Sequence, residues 1–305
     1  MKYIHTFSDE IPVSQVALGC MRIGRMSDAE ADRYLSTVTE LGYNYFDHAD
    51  IYDGGKCEEV FGAALGRNPA LRDHVVIQTK CGIRRGMYDF SREHILASVD
   101  GSLTRLGVEK IDVLLLHRPD LLMDPDEVAA AFDELEQSGK VTAFGVSNHS
   151  PAQIELLRKS VRQPLIINQM QLSVANAPMI ASGANVNLYN NDSTNRDGYL
   201  RDYCRLHGIT VQPWSPLQYG FMEGTFLGNE KFAELNKTIG EIAEKYGVTD
   251  TGIAIAWLLR LPEKMQPVVG SVNLTRLSDI ARAADVILTA EEWYKIYLAA
   301  GYTLP

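Results

Sequence analysis

The chain has 305 residues, of which 46% are hydrophobic and 22% charged, so it is long enough to bury a large core. Its formal net charge is −10, and such a surface repels a phosphate backbone, which argues against a nucleic-acid partner. No apolar run approaches the about 18 residues of a membrane span, and the N-terminus is too polar for a signal peptide. Four cysteines without a CxxC pair favour a reducing compartment, so we expect a cytoplasmic protein.

Short apolar runs alternate with helical patterns along the chain. Most of the runs are unbroken, which is typical of strands buried on both faces of a parallel sheet. They predict eight strands, at residues 16–19, 43–49, 74–80, 111–117, 142–148, 165–172, 209–214 and 267–270. No GxGxxG loop follows the first strand, which argues against an open doubly wound sheet. The pattern predicts a (β/α)8 TIM barrel that occupies residues 1–305 as a single domain.

Helix start signals lie between the predicted strands. Ser27 with Glu30, and Ser150 with Gln153, match the capping-box pattern. Asp124 precedes a proline, and proline is favoured at the first helical position. These signals predict helices that begin after residues 27, 124 and 150.

Four segments exceed the minimal strand–helix unit. Residues 1–14 predict a β-hairpin cap, and residues 285–305 predict a tail with one further helix that starts at Thr289. Residues 173–197 and 217–230 follow the sixth and seventh strands, so they form long loops at the C-terminal face of the barrel. Barrel enzymes place their active sites on that face.

Ionisable side chains end three consecutive predicted strands. Asp47 ends the second strand, with Tyr52 just beyond it. Lys80 ends the third strand and His117 the fourth. Each residue alone has a structural explanation, as a turn cap, a solvated charge or a buried histidine. Because these strand ends converge on one pocket, we interpret the four residues together as a proton-transfer site.

Tyr52 is the predicted proton donor of this site. A free tyrosine has a pKa near 10, and lowering it by about 3 units requires roughly 4 kcal/mol. One ammonium group at about 4 Å, in an effective dielectric of about 20, supplies an energy of that order. We therefore expect Lys80 to lower the pKa of Tyr52 and Asp47 to keep Lys80 charged. We expect His117 to hydrogen-bond the reacting carbonyl oxygen or to help pass the proton.

The sequence resembles the aldo-keto reductases, and LGCMR (18–22) is similar to their bacterial general-oxidoreductase branch. The matching motifs occur in the family's order: NYFDHADIY (44–52), VVIQTK (75–80), DVLLLHRPD (112–120), FGVSN (144–148), NQ (168–169), WSPL (214–217) and VVGS (268–271). The resemblance implies NADP(H)-dependent reduction of aldehyde or ketone carbonyls to alcohols on a (β/α)8 barrel. It also implies a catalytic tetrad of Asp47, Tyr52, Lys80 and His117, with Tyr52 as the general acid.

The resemblance further implies a cofactor site. Ser147, Asn148 and Gln169 match the residues that hold the nicotinamide carboxamide, and Trp214 matches the aromatic residue that stacks on the nicotinamide ring. Matches to pyrophosphate and adenosine contacts are Ser215, Pro216, Leu217, Gly270, Ser271, Arg276 and Asp279.

The sequence departs from the family pattern at the expected 2′-phosphate contact. Many NADPH-preferring members place lysine or arginine directly after the VVG motif, whereas this chain has Ser271, Val272 and Asn273. Arg276 is the next available cation, and it can serve by charge and by stacking. We expect NADP(H) as the cofactor, with NAD(H) less favoured.

The expected substrate wall comes from Met21, Arg22, Tyr88, Arg118 and Tyr219. Arg22 and Arg118 are suited to bind a carboxylate or phosphate group of a small-molecule carbonyl substrate. The alternatives are that they pair with local acids such as Asp120 or that they contact the cofactor. No sequence pattern indicates the substrate or the oligomeric state.

Two other functions fit parts of the pattern. Asp47, His48 and Asp50 are ligand types of a metal-dependent barrel hydrolase, but such a site needs ligands from other strands, where His117 is the only histidine. We therefore expect no metal and assign His48 and Asp50 no chemistry. A nucleotide-binding barrel subunit without turnover is the second alternative, and the complete tetrad argues against it.

Overall fold

The computed structural model describes residues 1–6 and 11–305. Its centre is a closed barrel of eight parallel strands, in which each strand pairs with the next along the chain and the last pairs with the first. The strands are β1 (Ala17–Gly19), β2 (Tyr45–Asp47), β3 (Val76–Cys81), β4 (Ile111–Leu116), β5 (Val141–Ser147), β6 (Leu165–Gln171), β7 (Thr210–Trp214) and β8 (Val268–Val269). Each strand overlaps one of the eight predicted runs, and the (β/α)8 barrel is confirmed.

Helices connect the strands and surround the barrel. They are α1 (Asp28–Glu40), α2 (Lys56–Arg67), α3 (Arg92–Leu106), α4 (Pro125–Gln137), α5 (Pro151–Leu157), α6 (Pro178–Ala184), α7 (Leu200–Leu206), α8 (Ala233–Tyr246), α9 (Asp250–Leu259), α10 (Leu274–Ala283) and α11 (Ala290–Ala299). The predicted N-caps Ser27, Asp124, Ser150 and Thr289 all precede helices.

An N-terminal hairpin covers one end of the barrel, as predicted. Tyr3–Ile4 pairs antiparallel with Val13–Ser14, while residues 7–10 of the predicted hairpin segment lie outside the described residues. The side chain of Val13 joins the apolar cluster inside the barrel, which also contains Ala17, Tyr45, Val76, Val113, Leu115, Ile167 and Val268.

A second, larger apolar layer fills the space between the strands and the helices. Phe132 of α4 stacks on Phe144 of β5, with 4.1 Å between ring centroids. Gly145 next to it has no room for a side chain, since an added Cβ would lie 2.7 Å from Cδ2 of Leu115 and 2.8 Å from the carbonyl oxygen of Ile167. Close packing of this kind holds the strand ends in fixed relative positions.

The C-terminal face carries longer connections than the opposite face. A second hairpin, Ile83–Arg84 paired with Met87–Tyr88, follows β3. The segment 173–197, expected as a polar loop, contains the helix α6, while 217–230 is largely irregular. Within residues 1–6 and 11–305, no helix is long and apolar enough to cross a membrane.

Candidate active site

The register of β2 and β3 brings Asp47 and Lys80 together. Asp47 pairs with Gln78 across the two strands, and side chains two residues apart on a strand point to the same face. Lys80 therefore shares the inward face with Gln78, beside the end of β2. After β2 the chain turns in a short 3-10 helix, Tyr52–Gly55, in which Asp53 has a left-handed backbone with φ of 50°.

Lys80 is the centre of this cluster, and its side chain is fully buried. Its Nζ lies 2.8 Å from Oδ1 and 2.9 Å from Oδ2 of Asp47. It also donates to the main-chain oxygen of His48 at 2.7 Å and to the hydroxyl oxygen of Tyr52 at 3.0 Å. A lysine has three N–H donors, so one donor is available for each partner. Because Tyr52 accepts from Lys80, its own hydroxyl hydrogen is free to point towards a ligand.

The charges of the cluster follow from burial and from its ion pair. Burial lowers the pKa of Lys80, but the charges and hydrogen bonds of Asp47 and Tyr52 outweigh it, so the net pKa is raised. Burial raises the pKa of Tyr52, and the Lys80 ammonium opposes this shift without cancelling it. The expected net lowering of the Tyr52 pKa is therefore wrong, because desolvation of the buried hydroxyl has a larger effect than the Lys80 charge. Tyr52 keeps its proton at neutral pH, and Lys80 remains charged.

His117 directly follows β4 and completes the cluster. Its ring lies edge-on to the ring of Tyr52, with centroids 6.1 Å apart and an interplanar angle of 82°. Burial lowers the pKa of His117 well below 6.5, and the cations Lys80 and Arg118 lower it further. The imidazole is therefore neutral. Its buried Nδ1 has no hydrogen-bond partner among the described residues.

Buried glutamines lie inside the barrel next to the cluster. Nε2 of Gln78 donates to Oδ1 of Asp47 at 2.5 Å and to Oε1 of Gln212 at 2.9 Å. Gln169 donates to the same two atoms at 3.1 Å and 2.9 Å. Gln212 in turn donates to Gln266 at 2.9 Å, and the amide of Gln266 donates to the N-terminal hairpin. A continuous hydrogen-bond chain thus connects Asp47 with the opposite end of the barrel.

A second group of polar side chains lies at the ends of β5, β6 and β7. Asn148 follows β5 with a left-handed backbone, φ 61°, and donates to Oγ of Ser147 at 2.8 Å. Ser147 donates to the main-chain oxygen of Gln169 at 3.0 Å. Oδ1 of Asn148 accepts a hydrogen bond from Nε1 of Trp214 at 3.1 Å. Asn148 also reaches the main-chain oxygen of His117 at 3.4 Å, which places this group beside the cluster.

Comparison with known proteins decides the family. The model of the Aldo/keto reductase family matches residues 15–298. The chain belongs to the aldo/keto reductase family. It is therefore an oxidoreductase, and its similarity to bacterial members of the family extends over nearly its whole length.

Three relatives illustrate that similarity. The chain is 36% identical to the uncharacterized oxidoreductase YcsN of Bacillus subtilis, covering 98% of both chains. It is 34% identical to a 6-dehydroglucose reductase of Agrobacterium fabrum, covering 96% of both. Its fold is similar to the crystal structure of the thermostable aldo-keto reductase Tm1743 in complex with the inhibitor epalrestat. That match has a TM-score of 0.79 and 24% sequence identity, and it covers 98% of this chain and 100% of that one.

In this aldo/keto reductase the chain after β7 has one residue with a left-handed backbone, and the chain after β8 has open space beside its backbone. Ser215 has a left-handed backbone with φ of 51°; the next two residues are the buried Pro216 and the half-buried Leu217. A Cβ added to Gly270 would meet nothing nearer than the carbonyl oxygen of Gly19, at 4.0 Å. Main-chain groups at the end of β8 can therefore approach a ligand closely.

The start of α10 continues this open edge. Oγ of Ser271 accepts from the amide of Asn273, which caps the helix. Arg276 is exposed in the first turn, and Asp279 lies three residues further on, so the two share one helix face. Together with the Asn148 group and the half-buried Trp214 ring, this edge offers amides, an aromatic face and a cation. Such a donor set fits a nicotinamide dinucleotide.

Arg118 lies next to that aromatic face. Its guanidinium carbon is 5.7 Å from the centroid of Trp214, and Phe221 approaches the same ring edge-on at 6.0 Å. Both oxygens of Asp120, a proposed partner of Arg118, accept from main-chain amides instead. Arg118 therefore stands beside the candidate site, over Trp214.

The other predicted substrate residues are spread over separate places. Met21 and Tyr88 are exposed, in the loop after β1 and in the second hairpin respectively. Tyr219 packs against Phe232, with 5.1 Å between ring centroids. Arg22 lines a separate cavity between α1 and α10. The structure thus brings Arg118 to the cluster of strand ends more directly than it brings the other four.

His48 and Asp50, the residues that suggested a metal site, lie in different surroundings. The ring of His48 lies edge-on against Phe61 at 4.6 Å, and burial lowers the pKa of His48 to about 3. Asp50 is half-buried near Glu58, and burial raises the pKa of Asp50 to about 7. Among residues 1–6 and 11–305, no three His, Cys, Asp or Glu side chains are grouped so that they could hold a metal ion.

Sequence reasoning missed the glutamine chain and the His48 carbonyl. Gln78 and Gln212 interrupt apolar strands, each two residues before a residue singled out as functional, Lys80 and Trp214. A polar residue at that spacing points into the barrel, which was the available signal. The carbonyl of His48 had no sequence signal, because any residue carries one.

Proposed function

We propose that this aldo/keto reductase reduces aldehyde or ketone carbonyls to alcohols with NADP(H), using Tyr52 as the general acid. The observation that carries the proposal is the hydrogen bond from Lys80 to the hydroxyl oxygen of Tyr52, at 3.0 Å. It leaves the phenolic proton free for a carbonyl oxygen and places a cation where phenolate charge develops.

The four residues of the cluster then divide the proton transfer between them. Tyr52 donates its proton to the carbonyl oxygen, and Lys80 stabilises the phenolate that remains. Asp47 keeps Lys80 charged and in place. Neutral His117 can donate a hydrogen bond to the carbonyl oxygen, because its pKa is too low for it to carry charge. When bound, the reduced nicotinamide supplies the hydride.

The residues that would hold this cofactor are those of the open edge. Ser147, Asn148 and Gln169 would bind the carboxamide, and Trp214 would stack on the nicotinamide ring. The pyrophosphate and adenosine contacts would be Ser215, Pro216, Leu217, Gly270, Ser271, Arg276 and Asp279. Support comes from the left-handed Ser215 and Asn148 and from the open backbone at Gly270.

The experiment that tests the proposal is a cofactor-oxidation screen. Purified protein is given NADPH, then NADH, with aldehydes, ketones, keto acids and sugars. The sugars include 6-dehydroglucose, because one of the relatives is a 6-dehydroglucose reductase. We expect a carbonyl-dependent loss of NADPH absorbance that is faster than with NADH. Protein that binds NADPH yet leaves every carbonyl unreduced would favour the nucleotide-binding subunit without turnover.

The four buried, unpaired cysteines support a reducing compartment, and we propose the cytoplasm. The proposed binding partner is a small-molecule carbonyl substrate, and the proposed single barrel domain binds it.

A further inference from the structure

An ion pair between two helices lies on the outer side of β3. Glu58, in the first turn of α2, has a fully buried side chain. Its Oε2 accepts a hydrogen bond from Nε of Arg105, in the last turn of α3, at 2.8 Å. The two helices come this close because Gly62 of α2 has no Cβ, which would lie 2.5 Å from the main-chain oxygen of Leu106. The pair therefore depends on close packing of α2 against α3.

The ion pair is connected to the strand that carries Lys80. Oε1 of Glu58 accepts a hydrogen bond from the hydroxyl of Thr79 at 2.6 Å. Side chains alternate between the two faces of a strand, so Thr79 points outward from β3 whereas Lys80 points inward. Both Glu58 and Thr79 are fully buried, so water does not compete for their hydrogen bond. Glu58 thus anchors β3 one residue before Lys80.

Arg105 is connected to the turn that carries Tyr52. The 3-10 helix Tyr52–Gly55 ends directly against the side chain of Arg105. A Cβ added to Gly55 would lie 2.7 Å from Cδ and 2.9 Å from Nε of Arg105. Gly55 also has φ of 92°, a left-handed backbone that favours glycine. Arg105 therefore supports this turn through direct contact with its main chain.

Asp50 lies close to both members of the ion pair. Burial and the charge of Glu58 raise the pKa of Asp50 to about 7, in spite of the opposing charge of Arg105. The main-chain N–H of Asp50, two residues before Tyr52, donates to the main-chain oxygen of Lys80 at 3.1 Å. The segments that carry Tyr52 and Lys80 are thus joined directly as well as through the ion pair.

We propose that Glu58 and Arg105 are positioning residues, which together set the distance between Nζ of Lys80 and the hydroxyl oxygen of Tyr52. That distance is 3.0 Å. The pair lies outside the barrel and acts through β3 and the turn. Its effect on catalysis rests on the proposed function, in which Tyr52 gives up its proton beside Lys80. A displacement of about 1 Å can lower a rate by about 100-fold, so roughly half that displacement would lower it about tenfold.

The test compares Glu58→Gln with a matched control in the full chain. Glutamine keeps the shape of Glu58 and can still accept from Thr79, but it lacks the charge that pairs with Arg105. The control is Glu263→Gln. Glu263 also pairs with the Nε of an arginine, Arg201, and its side chain is as completely buried as that of Glu58. It lies between α9 and β8, at the opposite end of the barrel from the tetrad.

Crystal structures of the wild type and the variants measure the distance between Lys80 and Tyr52 without turnover. We expect it to exceed about 3.5 Å, the limit of a hydrogen bond, in Glu58→Gln and to stay near 3.0 Å in Glu263→Gln. Thr79→Val, which removes only the hydroxyl that bonds Glu58, is the second variant and should lengthen the same distance. An unchanged distance in Glu58→Gln, or in Thr79→Val where Glu58→Gln does not fold, overturns the proposal.

Kinetic measurements test the consequence of that distance. The rate constant kcat is measured per bound NADPH, so that protein unable to bind the cofactor is not counted. We expect Glu58→Gln to lower kcat by about tenfold with KM for the carbonyl unchanged, and Glu263→Gln to match the wild type. A purely structural ion pair would lower Tm but leave kcat at the control's value, which would also overturn the proposal. A wild type that reduces no carbonyl would contradict the proposed function instead, and the distance between Lys80 and Tyr52 would still decide this proposal.

Discussion

Nζ of Lys80 lies within 2.9 Å of both carboxylate oxygens of Asp47, and both side chains are almost completely buried. Their charges are therefore compensated by each other and by the hydrogen bonds around them. Breaking a buried pair leaves an uncompensated charge inside the barrel, which is far more unfavourable than removing both charges.

The first prediction concerns this pair. We expect Lys80→Met and Asp47→Asn each to lower the free energy of unfolding by about 3–5 kcal/mol, because each leaves the partner's charge buried alone. We expect the double variant to lose clearly less than the sum of the two single losses. Urea unfolding of the three variants measures this coupling. Additive losses would mean that the two charges do not depend on each other.

The second prediction assigns Gln78 a positioning role through its hydrogen bond to Asp47. Gln78→Leu should lower kcat by about tenfold, the effect expected for the loss of one hydrogen bond to a charged group. Gln266→Leu is the matched control, because Gln266 is equally buried in the same chain but touches Gln212 and the hairpin instead. Equal kcat values for the two variants, at comparable stability, would show that Gln78 has a structural role only.

The third prediction is a gain of stability from Asp50→Asn at alkaline pH. Burial, with the charge of Glu58, raises the pKa of Asp50 to about 7. Between about pH 4 and pH 7 the folded state therefore binds more protons than the unfolded state, and stability is lost as pH rises. Asparagine removes this loss, so Tm should rise by about 2 °C or more at pH 8 and little at pH 5. The exposed Asp73→Asn is the control for the loss of one carboxylate, and a change of Tm as large in that variant would contradict the prediction.

The fourth prediction has the opposite pH dependence and concerns His48. Burial lowers the pKa of His48 to about 3, and neither ring nitrogen has a hydrogen-bond partner within residues 1–6 and 11–305. Below about pH 6.5 the unfolded state binds more protons, so the folded state loses stability as pH falls. His48→Leu should raise Tm at pH 5 more than at pH 8. The exposed His74→Leu serves as the control, and an equal change in both variants would contradict the account.

The fold was predictable because its signal is repeated eight times. Buried parallel strands have unbroken apolar runs, and each run overlaps an observed strand. Lys80 and His117 could be recognised in the sequence because they end strands that are otherwise apolar. The register of β2 and β3 places Asp47 beside Lys80.

Other features depend on three-dimensional burial and were missed. The net raised pKa of Tyr52 follows from desolvation, which no spacing of residues records. The chain from Gln78 to Gln266 joins strands far apart in sequence, so its members looked like isolated polar residues. The cavity that Arg22 lines forms only where α1 packs beside α10.

The role of Tyr52 as the proton donor is tested most directly by kcat of the Tyr52→Phe variant. The substitution removes the hydroxyl that accepts from Lys80 and keeps the ring beside His117. The account predicts that kcat for carbonyl reduction falls by at least about 100-fold, as for a positioned general acid, while the NADPH affinity of the variant stays close to that of the wild type. A loss clearly smaller than about 100-fold, with the cofactor still bound, would contradict it.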